Sequence, residues 1–110
     1  MAIYDISLKQ GETWSKVLTL KDDNDSVINV TNDTFRGQVR KHHSSTDIQA
    51  TFTFTITDGT NGVVAWTLSA TDSAACSSGN LVYDIEWVKQ NGYVTRILEG
   101  LAEISPEVTK

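Results

Sequence analysis

The stretch from Gly79 to Ile104 reads as one β-hairpin, and it constrains everything the rest of the chain can be. Leu81, Tyr83, Ile85 and Trp87 alternate with Val82, Asp84, Glu86 and Val88, giving an extended segment one apolar face and one face with two acids. Lys89, Gln90, Asn91 and Gly92 form the turn, in which the Asn-Gly pair is expected to supply the positive φ of a tight hairpin. Tyr93 to Leu98 opens the return strand in β-branched and aromatic residues. The preceding residues are then expected to build sheet that packs against this hairpin.

The upstream pattern agrees. Tyr4, Ile6 and Leu8 fall on one side of an extended segment, and Thr13 to Leu20 resumes with Trp14, Val17, Leu18 and Leu20, as in a strand bent or bulged near its start. Val27, Ile28 and Val30 make a brief apolar segment. In the strand Phe35 to Lys41, Phe35, Gly37 and Val39 face inward, and Gly37 marks a bulge or the close approach of a backbone or ring. From Ile48 to Ile56 the alternation is the cleanest in the chain: Ile48, Ala50, Phe52, Phe54 and Ile56 share one face and Gln49, Thr51, Thr53 and Thr55 the other. Asp58-Gly59 and Asn61-Gly62 bracket a turn into Val63 to Leu68, where Val64, Trp66 and Leu68 are in phase.

Ser69 or Thr71 is placed to cap a short helix over about Thr71 to Ser77, with Ala70, Ala74, Ala75 and Cys76 as its packing stripe and Gly79 as its stop. Near the end, Leu98, Gly100, Ala102 and Ile104 share a phase while Leu101 takes the other, which predicts a bulge at Gly100 or a strand buried on both faces. Pro106 closes the strand. Residues 107–110 are read as a tail, free or paired with a partner. The fold class that follows is all-β: an immunoglobulin-like antiparallel β-sandwich of about seven or eight strands with one short helix, a single domain over 1–110.

Charge and cysteine content narrow the function. The net charge of −5, with nine scattered basic residues, speaks against a nucleic-acid partner, and the best basic group, Arg36, Arg40 and Lys41, is split between strand faces. Cys76 is the single cysteine, so no intrachain disulfide forms, and a buried small hydrophobe is the reading given to it. Met1 to Leu8 lacks the basic and apolar regions of a signal peptide, and no run is long enough to span a bilayer, so no membrane partner is expected. The chain is expected to be made and to fold in the cytoplasm.

The groups that carry chemistry elsewhere do not converge here. Asp22, Asp23, Asn24 and Asp25 offer oxygens, but Ile28 stands where a calcium loop starting at Asp23 needs Gly, so a solvated hairpin tip is the better reading. His42 and His43 are adjacent in a polar loop and point apart, so no metal site follows from them. Asp84 and Glu86 share a strand face with solvent, not an enclosed site. No nucleophile elbow or phosphate loop occurs. No catalytic, cofactor-binding or metal residue is assigned, and no enzyme activity or cofactor is expected. Two readings remain. Trp14, Trp66 and Trp87 could form a sugar-stacking platform if they faced outward, whereas their phase makes Trp66 and Trp87 core residues. Alternatively the domain is an assembly subunit whose strand edges pair with neighbours or copies.

The order of Gln10-Gly11-Glu12-Thr13, Val27 to Val30, Phe35-Arg36-Gly37-Gln38-Val39-Arg40, Asn61-Gly62-Val63-Val64, Leu81-Val82-Tyr83-Asp84-Ile85-Glu86, and Arg96-Ile97-Leu98-Glu99-Gly100 through Ser105-Pro106-Glu107-Val108-Thr109 resembles small β-sandwich structural proteins of tailed bacteriophages. It is also loosely similar to the N-terminal domain of upper baseplate proteins. The resemblance covers nearly the whole chain and implies a virion structural subunit, an adaptor in tail, baseplate or neck, with other virion proteins and copies of itself as partners and no catalytic residue to carry over. The alternative is a carbohydrate-binding or adhesion module. The termini and edge strands are expected to carry the contacts, such that removing Met1 to Leu8 or Ser105 to Lys110 abolishes assembly and leaves a folded monomer.

Overall fold

The computed structural model describes residues 2–108, which hold nine strands and one α-helix. In chain order these are β1 (Ala2–Ile3), β2 (Ile6–Lys9), β3 (Trp14–Thr19), β4 (Thr34–Arg40), β5 (Ile48–Thr51), β6 (Thr53–Asp58), β7 (Val63–Leu68), α1 (Ala70–Ala75), β8 (Gly79–Val88) and β9 (Val94–Ser105). The larger sheet runs β1-β9-β8-β4-β5, with β2 also on β9; the smaller runs β3-β7-β6. This is the expected immunoglobulin-like β-sandwich with one short helix. It departs from a purely antiparallel arrangement because β1 and β2 run parallel to β9.

The β8–β9 hairpin forms as its alternation requires, with Leu81, Tyr83, Ile85 and Trp87 buried and Val82, Asp84 and Glu86 facing out. Its turn differs in detail. Gly92 N–H donates to the Lys89 carbonyl and only Gly92, at φ 90°, is left-handed, so Gln90, Asn91 and Gly92 form a three-residue loop instead of an Asn-Gly two-residue turn. The bulge in β9 falls at Ile97, where the β8 register shifts between Ile85 and Glu86, not at Gly100. Gly100 serves another need: a Cβ there would lie 2.2 Å from the Tyr4 carbonyl oxygen. The chain between β1 and β2 crosses at this point. Tyr4 N–H donates to the Glu99 carbonyl, and the Asp5 carboxylate accepts from Leu101 N–H at 3.0 Å, so β1 and β2 keep one register across the break.

The run Ile48 to Ile56 is not one strand in one sheet. It turns a corner at Phe52, leaving β5 at the edge of the larger sheet and β6 at the edge of the smaller. The side-chain period survives the corner, so Ala50 and Phe52 are buried and Phe54 and Ile56 half-buried, whereas Ile48, expected on the same face, is exposed where the β4–β5 register shifts. Periodicity reports which face is covered and is silent about which neighbour a strand pairs with. Gly37 lies within β4 with no register shift beside it, and a Cβ there would meet the Asp84 carbonyl oxygen at 2.7 Å and the rings of Phe52 and Phe54 beyond it.

Trp66 is the centre of the core. It is fully buried and meets Trp14 at 4.7 Å and Phe52 at 5.2 Å in edge-to-face fashion, with Tyr83 at 5.5 Å across the sheets. The β3–β7 ladder has no register shift, so the expected bulge near Thr13 is absent; Trp14, Lys16 and Leu18 take the inner phase, and Val17 points out. Ile6 and Leu8 are buried in the same core as Trp66. Each contributes roughly 1.5–3 kcal/mol. The idea that Met1 to Leu8 could be removed from a folded monomer is therefore wrong: its loss opens the core and strips β9 of its parallel partner. Thr109 and Lys110, part of the tail considered in the sequence, lie outside the described residues.

Candidate functional site

The helix α1 is capped by Ser69, whose hydroxyl accepts from Asp72 N–H at 3.1 Å. Its buried side is not the alanine stripe, for Ala74 and Ala75 are exposed; Ser73 and Cys76 point in. Ser73 Oγ donates to a carbonyl and accepts from Gly11 N–H at 3.1 Å, with the Glu12 carbonyl at 2.8 Å. Gln10 Nε2 donates to the Cys76 carbonyl at 2.7 Å, and its Oε1 accepts from Glu107 N–H at 2.9 Å. The Gln10-Gly11-Glu12 motif thus ties the β2–β3 crossing, the helix and the end of β9 into one closed end of the sandwich. Cys76 is buried, and burial followed by the Asp72 charge raises its thiol pKa, which suits a packing role.

The residues considered for chemistry do not come together. Asp22 Oδ1 accepts from Asn24 and Ser26 N–H, with Asp25 in the left-handed region at φ 63°, so the acidic run closes its own turn. His42 and His43 are exposed, and His42 Nδ1 lies 3.0 Å from Ser44 Oγ. No group of three or more His, Cys, Asp or Glu side chains able to hold a metal occurs among the described residues. Asp84 and Glu86 belong to a charged outer face on the larger sheet: Arg36 Nε donates to Glu86 at 2.7 Å, and Arg96 reaches Asp84 at 3.4 Å and Glu99 at 3.7 Å. The basic group is likewise dispersed. Arg40 is held by Gln38 and the Ser45 carbonyl, away from Arg36.

The three tryptophans form no flat exposed platform. Trp66 is enclosed, Trp14 packs edge-on against it, and Trp87 is 9% exposed with its Nε1 donating to Asp33 at 2.9 Å.

What does stand out is an uneven surface. The outer face of the smaller sheet carries Ser15, Val17 and Thr19 on β3, Val63, Ala65 and Thr67 on β7, and Thr53 and Thr55 on β6, with Asp58, paired to Val63, as the ionisable side chain at its end. Of the exposed large apolar side chains, Ile3, Tyr4, Val17 and Ile48 sit on the outermost strands or beside them, and Val27, Tyr93, Val94, Leu101 and Val108 lie elsewhere. The flank between β3 and β9 is open. Leu18, Leu20, Ile28, Trp87, Ile97 and Leu98, with the cationic Lys21 and Arg96, line a groove there of about 490 Å³. The sequence does not reveal this flank, because periodicity alone does not show where a sheet ends.

No family model matches the sequence, and no curated protein matches it. Among solved structures the chain is similar to the crystal structure of the Lin-41 filamin domain, at 15% identity and a TM-score of 0.49, over 90% of this chain and 82% of that one.

Proposed function

We propose that this domain is a structural subunit of a tailed bacteriophage particle, an adaptor of tail, baseplate or neck. It works without catalysis, through fixed contacts with other virion proteins and copies of itself, after synthesis in the bacterial host cytoplasm. The observation that carries the assembly part of this reading is that edge strands carry exposed apolar side chains: Ile3, Val17 and Ile48 stand on β1, β3 and β5 and Tyr4 follows β1, while Tyr93, Val94 and Leu101 are exposed at the hairpin tip and on β9. The phage setting is supported by the order of sequence motifs from Gln10 to Val108. The hydrophobic core takes up the tryptophans that a sugar platform would need.

Light scattering over a concentration series is the test. A discrete closed oligomer supports the reading. A monomer at every concentration that is retained on a glycan array overturns it in favour of a carbohydrate-binding module.

A further inference from the structure

The edges of the two sheets are not equally protected. β5 is four residues long and its pairing slips between Val39 and Arg40; β6 is bulged between Ile56 and Asp58; β1 and β2 are broken at Tyr4 and Asp5. Shortness, bulges and charge are the devices that keep strand edges from pairing with other chains. β3 has none of the first two. It is six residues with a regular ladder to β7, no proline, and one charge, Lys16. Leu20 N–H donates inward to Gly62, so the alternation of the ladder turns the N–H and C=O groups of Ser15, Val17 and Thr19 outward, where no described strand receives them.

The space beside β3 has a particular size. Phe54 of β6 packs on Gly37 of β4, Trp66 of β7 on Tyr83 of β8, and Leu18 of β3 lines one groove with Ile97 and Leu98 of β9, so beyond β3 the larger sheet projects one strand further, through β1 and β2. Lys16 Nζ, 4.9 Å from the Tyr4 ring, marks this overhang. A second whole sandwich brought edge-on to β3 would meet the projecting strands, its own β9 competing with β1 and β2 for one place. A single extended segment meets no such obstacle.

From this geometry we infer that the outer edge of β3 is a docking site for one extended segment of a neighbouring protein, added as a fourth strand to the smaller sheet beneath the overhang of β1 and β2. The inference rests on the assembly reading and names the kind of partner it uses. The inward-facing residues of the segment, every second one, are apolar and continue the line of Leu18, Leu20 and Ile97 along the groove. Lys16 shares that inner phase and has no carboxylate partner among the described residues, so the one inward-facing position opposite it is acidic instead of apolar.

The probe is a display library of random twelve-residue peptides selected against the whole domain. The expected winners alternate apolar residues, carry an acid, and shift the amide resonances of Ser15, Val17 and Thr19. Val17→Pro removes an outward N–H that the β3–β7 ladder does not use, so it is expected to fold and to weaken the selected peptide by roughly tenfold or more. Should that variant fail to fold, Lys16→Glu supplies the measurement, since it repels the acid and leaves the ladder alone. No enrichment, shifts confined to β6 or β9, or unchanged binding by the folded variants would overturn the inference. The assembly reading is scored separately, by the oligomer mass of the same variants.

Discussion

Replacing Gly100 with alanine sets a methyl group against the Tyr4 main chain. The added Cβ would lie 2.2 Å from the Tyr4 oxygen and 2.7 Å from its carbonyl carbon, and neither is a side-chain end that can swing away. Strand β1 and the break after it must then shift, an overpacking cost of about 1–3 kcal/mol. A second loss is coupled to the first. The Tyr4 carbonyl accepts the hydroxyl hydrogen of Tyr83, which is 2% exposed, so moving that carbonyl leaves a buried phenol without its partner at about 1–3 kcal/mol. The sum is about 2–6 kcal/mol in the unaltered protein. In a Tyr83→Phe background the second loss is already absent, so Gly100→Ala costs only the packing part, and the two substitutions show an interaction of about 1–3 kcal/mol. Urea unfolding of the four proteins, followed by tryptophan fluorescence, reads both quantities. A Gly100→Ala protein within about 0.5 kcal/mol of wild type, or strictly additive costs, would refute the close approach as the reason for glycine at this position.

Other expectations are simpler. Deleting Met1 to Leu8 removes Ile6 and Leu8 from the core and the parallel partner of β9; the product is expected to show no cooperative thermal transition by circular dichroism. Ser73→Ala leaves Gly11 N–H and the Glu12 carbonyl without their shared hydroxyl and lowers stability by about 1–3 kcal/mol in urea unfolding. Burial, then the charges of Asp5 and Tyr4, push the Tyr83 phenol above its ordinary value of 10. Above that pH the unfolded chain sheds a proton that the folded chain keeps. Stability therefore falls as pH rises, by at most about 1.4 kcal/mol per pH unit, and Tyr83→Phe removes this part of the alkaline loss when denaturant midpoints are compared across pH.

The elements most legible in the sequence were those whose side-chain period is set by one covered face. Leu81 to Trp87 and Val64 to Leu68 could be placed residue by residue, because a strand between core and water has no other way to satisfy both. The same rule carried Ala50, Phe52 and Phe54 inward but could not show the corner at Phe52, since changing sheets leaves the alternation intact. Gly37 reads in the sequence as a bulge or a close approach, and Gly100 as a bulge or part of a strand buried on both faces. Both are close approaches, by the Asp84 carbonyl and two phenylalanine rings and by the Tyr4 main chain, and such contacts come from residues far away in the chain. In α1 the error was to weigh alanine content over hydrogen bonding: Ser73 is buried because the Gln10-Gly11-Glu12 crossing needs its hydroxyl. The open edge of β3 was not visible, because a strand that ends a sheet has the same composition as one that continues it.

The parallel pairing of β1 and β2 with β9 bears on how the domain responds to pulling. The chain enters beside Leu98 and leaves β9 at Ser105, beside Lys9, so its two ends emerge at opposite poles of one ladder. Tension between the ends drags the first strands and the last past each other along their length. The bonds from Tyr4 to Glu99 and from Gln10 to Ser105, with the β2–β9 ladder between them, then bear the load together, in shear. A hairpin pulled from its open end would instead unzip one bond at a time. A domain built this way, strung between two neighbours, yields late and all at once, and acts as a stiff link up to its breaking point.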